Sequence, residues 1–168
     1  MIILKLLVCV IIVLICTYLG IEKANDYGKR VLELKRIKSG LQFFKSKIEF
    51  TYEPIKDIFE GISKSVYNDD VNVFQKAKEY MAKELISDSW NKAVEEESKI
   101  GQEDKDVLKM FGKLLGKTDK NGQISEVNLS LDFIDRQIEK AESEKSKNAK
   151  LYQSLGIIIG VGLVIILW

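Results

Sequence analysis

The sequence predicts an all-α protein: a compact bundle of about six helices on a two-helix stalk, flanked by N- and C-terminal transmembrane helices. Three observations lead to this fold. Long apolar segments occupy both ends of the 168-residue chain. Between them, apolar residues recur at helical spacing. No stretch bounded by turn signals alternates between apolar and polar residues as a β-strand does.

Both ends of the chain are long and apolar enough to cross a membrane, for which roughly 18–20 residues suffice. The first apolar segment is interrupted only by Lys5, and the second contains no charged side chain. Because no small-residue cleavage site follows the first segment, we predict an uncleaved membrane helix rather than a signal peptide. The predicted domains are residues 1–21, 22–150 and 151–168.

Basic residues beside the apolar segments predict that the central domain faces the cytoplasm. Residues 22–47 carry eight Lys or Arg residues and three acids, and Lys145, Lys147 and Lys150 precede the second segment. Positive charges that flank membrane helices are retained in the cytoplasm. Some of them are candidates for contact with anionic lipid headgroups as well as for fixing the topology. These membrane-proximal basic residues are Lys29, Arg30, Lys35, Arg36 and Lys38.

Helical spacing begins directly after the first membrane segment. Tyr27, Leu34 and Leu41 repeat every seven residues, which predicts a helix with a near-heptad apolar stripe. Gly40 weakens this helix locally without ending it. Pro54 suits the first turn of a second helix, because the N–H group that proline lacks would have no helical partner there.

Capping residues predict where the later helices begin and end. The pair Asn68–Asp69 offers an N-cap for a third helix, and Ser87 offers one for a fourth. Gly101 is expected to end the fourth helix. A fifth helix is expected to begin near Glu103, and the last near Asp119.

The last helix changes character after its apolar stripe. Residues 142–150 are polar on every face and contain neither glycine nor proline. The helix is therefore expected to continue into the second membrane segment. A helix that is polar all round crosses solvent or binds a partner, so this segment and the basic start of the first helix predict the stalk.

Residues 112–119, GKLLGKTD, resemble the end of a phosphate-binding loop but lack its spacing. That loop has four residues between its glycines and follows a buried strand. Here three residues separate Gly112 from Gly116, and the preceding residues have helical spacing. We therefore predict that Gly116 ends a helix, Asp119 caps the next one, and Gly112 allows a neighbouring helix to approach closely.

The sequence offers no cluster of catalytic residues, so no enzymatic activity, metal or cofactor is predicted. The chain has no histidine, and its cysteines, Cys9 and Cys16, lie in the first membrane segment. The 26 basic and 25 acidic residues argue neither for nor against nucleic acid, and none is predicted as a partner. Gly156 and Gly160 form a GxxxG motif that is a candidate for packing against another membrane helix.

An acidic segment in the centre of the chain is the candidate surface for a protein partner. Residues 95–106 contain six acids and two lysines, without the spacing of a calcium-binding loop. A solvated surface that faces a partner is the favoured interpretation. Its acids are Glu95, Glu96, Glu97, Glu103, Asp104 and Asp106.

The order of these features resembles the stage III sporulation protein AB family of endospore-forming Firmicutes. The resemblance covers essentially the whole chain. Its most specific residues are Trp90, Ala93, Leu108, Gly112, Leu115, Gly116, Asp119 and Gln123. The resemblance implies a cytoplasmic domain similar to a helical domain of the type II secretion inner-membrane platform protein (GspF-like).

The resemblance also implies partners rather than a chemistry. It implies a channel complex in the mother-cell membrane around the engulfed forespore, required for endospore formation. That complex has a separate secretion-type ATPase, which this chain would dock as a non-enzymatic membrane platform. The family offers no catalytic residue to carry over.

A different interpretation is a two-helix membrane sensor whose helical bundle lies outside the cytoplasm and binds a ligand. Such receptors continue into a cytoplasmic output domain after the second span. This sequence reaches Trp168 without one, so the platform is the expected function and the sensor is the alternative.

Overall fold

The computed structural model describes residues 2–51, 53–68 and 70–167, and the regular structure in these ranges is helical throughout. The helices are α1 (Ile2–Phe50), α2 (Ile55–Tyr67), α3 (Val73–Tyr80), α4 (Ile86–Glu95), α5 (Gln102–Leu114) and α6 (Lys120–Leu167). Two long helices and four short ones confirm the predicted all-α fold.

Helices α1 and α6 run without a break from the apolar ends of the chain into its polar centre. Helix α1 has 49 residues and continues through Gly40, as expected, and α6 has 48. Both contain a segment long and apolar enough to cross a membrane. The described residues form two compact units: one contains the residues up to Val31 and those from Glu139 onward, and the other is Leu32–Ile138.

The core of the unit Leu32–Ile138 is a cluster of aromatic rings from α1, α2, α3, α4 and α5. Trp90 lies 5.1 Å from Phe111, 5.3 Å from Phe74 and 5.5 Å from Phe59, measured between ring centroids. The indole Nε1 of Trp90 donates a hydrogen bond of 2.7 Å to the carbonyl oxygen of Leu108. A buried indole N–H thus has its partner. The α1 stripe that contains Leu34 and Leu41 completes this core with fully buried side chains.

The N-cap of α3 is Asn72, so the prediction that placed it at Asn68 or Asp69 is wrong. The Asn72 side-chain oxygen accepts a hydrogen bond of 3.0 Å from the Gln75 N–H. Asn68 instead follows α2 in the left-handed region, with φ of 50°. Asparagine suits both an N-cap and a left-handed helix end, which explains the error. Asp69 lies outside the described residues.

The predicted limits of α4 are also wrong. Its N-cap is Leu85, and Ser87 is buried inside the first turn. Helix α4 ends at Glu95, and Gly101 caps the start of α5 rather than the end of α4. The reason lies in Asp104, whose carboxylate accepts a hydrogen bond of 2.9 Å from the Gly101 N–H, as in a capping box.

In the other unit, α1 and α6 pack against each other at glycines. A Cβ atom on Gly156 would lie 2.7 Å from the Cys16 carbonyl oxygen, and one on Gly160 would lie 3.1 Å from the Val13 Cα. The first distance is too short for a Cβ atom unless the backbone shifts, and the second is tight, so glycine suits both positions. The helix that contacts the GxxxG motif is therefore the other apolar helix of the same chain.

Candidate partner-binding surface and buried carboxylate

The segment that resembles a phosphate-binding loop is a helix end, a turn and a helix start. Gly116 has φ of 75°, a left-handed conformation that favours glycine after a helix. The Asp119 side chain accepts a hydrogen bond of 2.9 Å from the Gly122 N–H in the first turn of α6. No strand precedes the segment in the ranges the structure describes. The backbone that would wrap a phosphate is therefore not formed.

Gly112 lies where α5 meets α4. A Cβ atom at this position would be 2.4 Å from Trp90 Cδ1 and 2.9 Å from the Asn91 side-chain oxygen. The indole thus occupies the space that a side chain at position 112 would need. Pro54, expected in the first turn of the second helix, directly precedes α2 as its N-cap.

The six acids of the candidate partner surface fall into two groups. Glu97 is 5% exposed and Asp104 is fully buried. The Asp104 carboxylate caps α5, and the Glu97 carboxylate accepts a hydrogen bond from the Lys99 N–H. Both are therefore engaged within the fold. The acids that are exposed are Glu95, Glu96, Glu103 and Asp106.

Lysines partly neutralise the exposed acids. Glu95 pairs with Lys105 and Lys109, and the Lys109 amine holds the pKa of the Glu95 carboxyl below its usual range. Glu96 pairs with Lys76 at 3.7 Å. The negative field on this surface is therefore weaker than the count of acids suggests. Among the described residues, no three His, Cys, Asp or Glu side chains are grouped so that they could hold a metal ion.

The five membrane-proximal basic residues are divided between the two units. Lys29 pairs with Asp26, and Arg30 pairs with Glu144, in the unit of the chain ends. In the unit Leu32–Ile138, Arg36 pairs with Asp70, and Lys38 pairs with Asp135. Lys35 is exposed.

A buried carboxylate, Glu33, is the feature that sequence reasoning missed. Glu33 is 1% exposed, and its oxygen accepts a hydrogen bond of 3.0 Å from the Tyr67 hydroxyl. The Lys99 amine lies 3.5 Å from its other oxygen. Burial raises the pKa of the Glu33 carboxyl, although Lys99 and Tyr67 oppose this effect. Burial and the Glu33 carboxylate raise the pKa of the Tyr67 hydroxyl above its usual range.

This network ties α1, α2 and the connection between α4 and α5 together. The sequence held one signal for it: Glu33 precedes Ile37 by one helical turn and so lies on the apolar face of α1. An acid on such a face is buried and needs partners. The arrangement gives the buried Glu33 carboxyl a hydrogen-bond donor in Tyr67 and a cation in Lys99.

Comparison with known proteins identifies the family. The profile of the family Stage III sporulation protein AB matches residues 5–168. A relative named Stage III sporulation protein AB, from Bacillus subtilis (strain 168), is 28% identical over 169 residues, which is 98% of this chain and 99% of the relative.

A solved structure supports the fold. A structure of Stage III sporulation protein AB superposes with a TM-score of 0.62 at 18% identity, covering 71% of this chain and 98% of the solved chain. At this level of identity the similarity speaks for the fold. The match of the family profile over nearly the whole chain shows that this chain belongs to the stage III sporulation protein AB family.

Proposed function

We propose that this chain is a non-enzymatic membrane platform of a sporulation channel complex and that it docks the secretion-type ATPase of that complex. In this proposal residues 1–21 and 151–168 cross the mother-cell membrane around the forespore, and residues 22–150 lie in the cytoplasm. One observation carries the proposal: two apolar helical segments pack against each other in one unit, while the unit Leu32–Ile138 is a bundle with its own core.

The charge distribution supports the cytoplasmic placement. Between Lys5 and Glu22 no side chain is charged, whereas the residues that follow are rich in lysine and arginine. Positive charges near the ends of membrane helices favour the cytoplasmic side. Membership of a sporulation protein family supports a role in a sporulation complex.

Two features support a platform rather than an enzyme. The chain lacks histidine, and two acids of the central segment have structural partners: Glu95 pairs with Lys109, and Asp104 caps α5. The exposed acids near the start of α5, Glu103 and Asp106, offer a surface for a basic face of a partner. Charge complementarity of this kind raises association rates and fixes orientation.

A binding measurement with the full chain tests this proposal. We would reconstitute the chain in lipid nanodiscs, immobilise it and pass the cognate ATPase over it, with and without nucleotide. We expect binding that weakens several-fold when Glu103→Gln and Asp106→Asn are combined. Asp57→Asn combined with Asp132→Asn, which alters exposed acids elsewhere, is the matched control. No binding to the chain, alone or with the other complex members, would contradict the platform.

A further inference from the structure

A groove of about 280 Å³ lies between α1 and α6 in the unit of the chain ends. Gly20 and Gly156 line it, and a Cβ atom on Gly20 would lie 3.1 Å from the Gly156 Cα. Because neither residue has a side chain, the backbones of α1 and α6 lie close together at this point, and the groove opens beside them. Leu155 and Ile159 also line the groove and are 39% and 53% exposed, so its apolar surface is open to the surroundings.

One lining residue, Lys23, carries a charge. Its side chain is exposed, and no ion pair involves it among the residues that the structure describes. The nearby Asp26 carboxylate pairs with Lys29 at 3.0 Å instead. Tyr152 lines the groove as well. The groove therefore combines a long apolar surface with a cation and an aromatic ring.

The position of Lys23 in the sequence matches the boundary between the hydrocarbon and the headgroups of a membrane. The charge-free part of α1 ends at Glu22 and Lys23, and that of α6 begins after Lys150. Lysine side chains at helix ends extend toward the headgroups, and tyrosine favours the same depth. An amphiphile in the groove would thus place its apolar chain beside Leu155 and its polar head beside Lys23.

We propose that this groove binds a phospholipid with an anionic headgroup, whose phosphate pairs with Lys23 and whose acyl chain lies along Gly20, Gly156 and Ile159. The charge and the apolar lining of the groove favour an anionic lipid over a partner helix. Lys23 supplies a cation where the charge-free part of α1 ends, and Leu155 and Ile159 supply an open apolar surface for an acyl chain.

Lipid retention by the purified full chain tests the proposal, which rests on membrane insertion of the two apolar helices. We would extract the chain from membranes in detergent, add equal amounts of phosphatidylglycerol and phosphatidylcholine with identical acyl chains, and count bound lipids by native mass spectrometry. We expect a preference for phosphatidylglycerol that falls about five-fold in Lys23→Gln. Lys29→Gln, a change of the same kind at an exposed lysine that does not line the groove, should keep the preference.

A second variant tests the apolar part of the groove. Leu155→Trp fills the groove and should reduce retention of both lipids, with helicity checked by circular dichroism. An equal preference in wild type and Lys23→Gln, or equal losses in Lys23→Gln and Lys29→Gln, would overturn the lipid site. Failure of the chain to enter the membrane fraction at all would instead contradict the membrane platform.

Discussion

Glu33 shows how one carboxylate can set the pH dependence of a bundle. Burial raises its pKa above the ordinary value of 4.5, despite the nearby Lys99 amine. A carboxyl whose pKa is raised in the folded state contributes stability below its unfolded pKa, where it is protonated in both states. That contribution is lost as the pH rises through the folded pKa.

We therefore expect Glu33→Gln to gain stability relative to wild type as the pH rises from about 4 towards neutrality. The amide can still accept the hydrogen bond from Tyr67 and avoids the burial of a charge. Stability would be followed by Trp90 fluorescence during thermal unfolding of the detergent-solubilised chain in a Trp168→Phe background. Asp132→Asn at an exposed position is the control, and a constant difference between Glu33→Gln and wild type across this range would refute the account.

Gly112 tests the contact between α5 and the buried indole. The Cβ atom of a side chain at this position would lie 2.4 Å from Trp90 Cδ1. Gly112→Val should lower the free energy of unfolding by about 1–3 kcal/mol, because the indole is packed on several sides and cannot move away.

Lys117→Ala, an exposed change in the same segment, should alter the free energy of unfolding by no more than about 0.5 kcal/mol and leave sporulation intact. Loss of function in Lys117→Ala with the fold preserved would reopen the possibility of a phosphate site. Both variants can be compared in the same thermal unfolding measurement.

Within a single helix, α1 allows the effect of helix propensity on stability to be separated from the effect of side-chain packing. Ser39 and Gly40 are neighbours, and alanine is the better helix former at both positions. Ser39 is exposed, so Ser39→Ala should stabilise the chain by about 0.5 kcal/mol. A Cβ atom at position 40 would lie 2.6 Å from the Phe74 ring. Gly40→Ala should therefore destabilise it by about 1 kcal/mol or more, and equal gains in both variants would show that the ring can move aside.

The N-cap of α3 provides a second test at this scale. Asn72 is fully buried, caps α3 and donates a hydrogen bond of 2.9 Å to Ser63 Oγ. Asn72→Ala should cost about 1–2 kcal/mol. Asn68→Gly should be neutral or slightly stabilising, because glycine adopts a φ of 50° without strain. If Asn68→Gly lost more stability than Asn72→Ala in a urea titration, the N-cap of α3 would be Asn68 instead.

The sequence predicts the helices well and their ends poorly, for physical reasons. Apolar spacing identifies α1 and α6 because each buries a long stripe, and spacing depends only on residues of the same helix. Helix ends depend on which of several polar residues satisfies the free N–H groups. Asn72 took that role ahead of Asn68 at the start of α3, and α4 begins after Leu85 without a side-chain cap.

The buried network is harder still to predict, because its members are distant in sequence. Tyr67 lies 34 residues from Glu33, and only the packing of α2 on α1 brings the hydroxyl to the carboxylate. The acidic surface differs from its prediction for a similar reason. Counting acids cannot reveal that Glu97 is buried or that Glu95 faces Lys109.

For the molecule as a whole, the proposed platform requires that the bundle faces the cytoplasmic side of the membrane. A single engineered cysteine answers this directly, provided that it lies on the surface. Ser87 is buried and unsuitable, whereas Lys83 is exposed. Cys9 and Cys16 are the native thiols and would first be replaced by alanine.

The deciding measurement is the labelling of Lys83→Cys by a membrane-impermeant thiol reagent in vegetative cells, where the outer face of the membrane is open to the reagent. A cytoplasmic bundle predicts no labelling of intact cells and full labelling after permeabilisation. Labelling of intact cells would place the bundle outside, contradict the platform and favour a sensor with an extracytoplasmic ligand site.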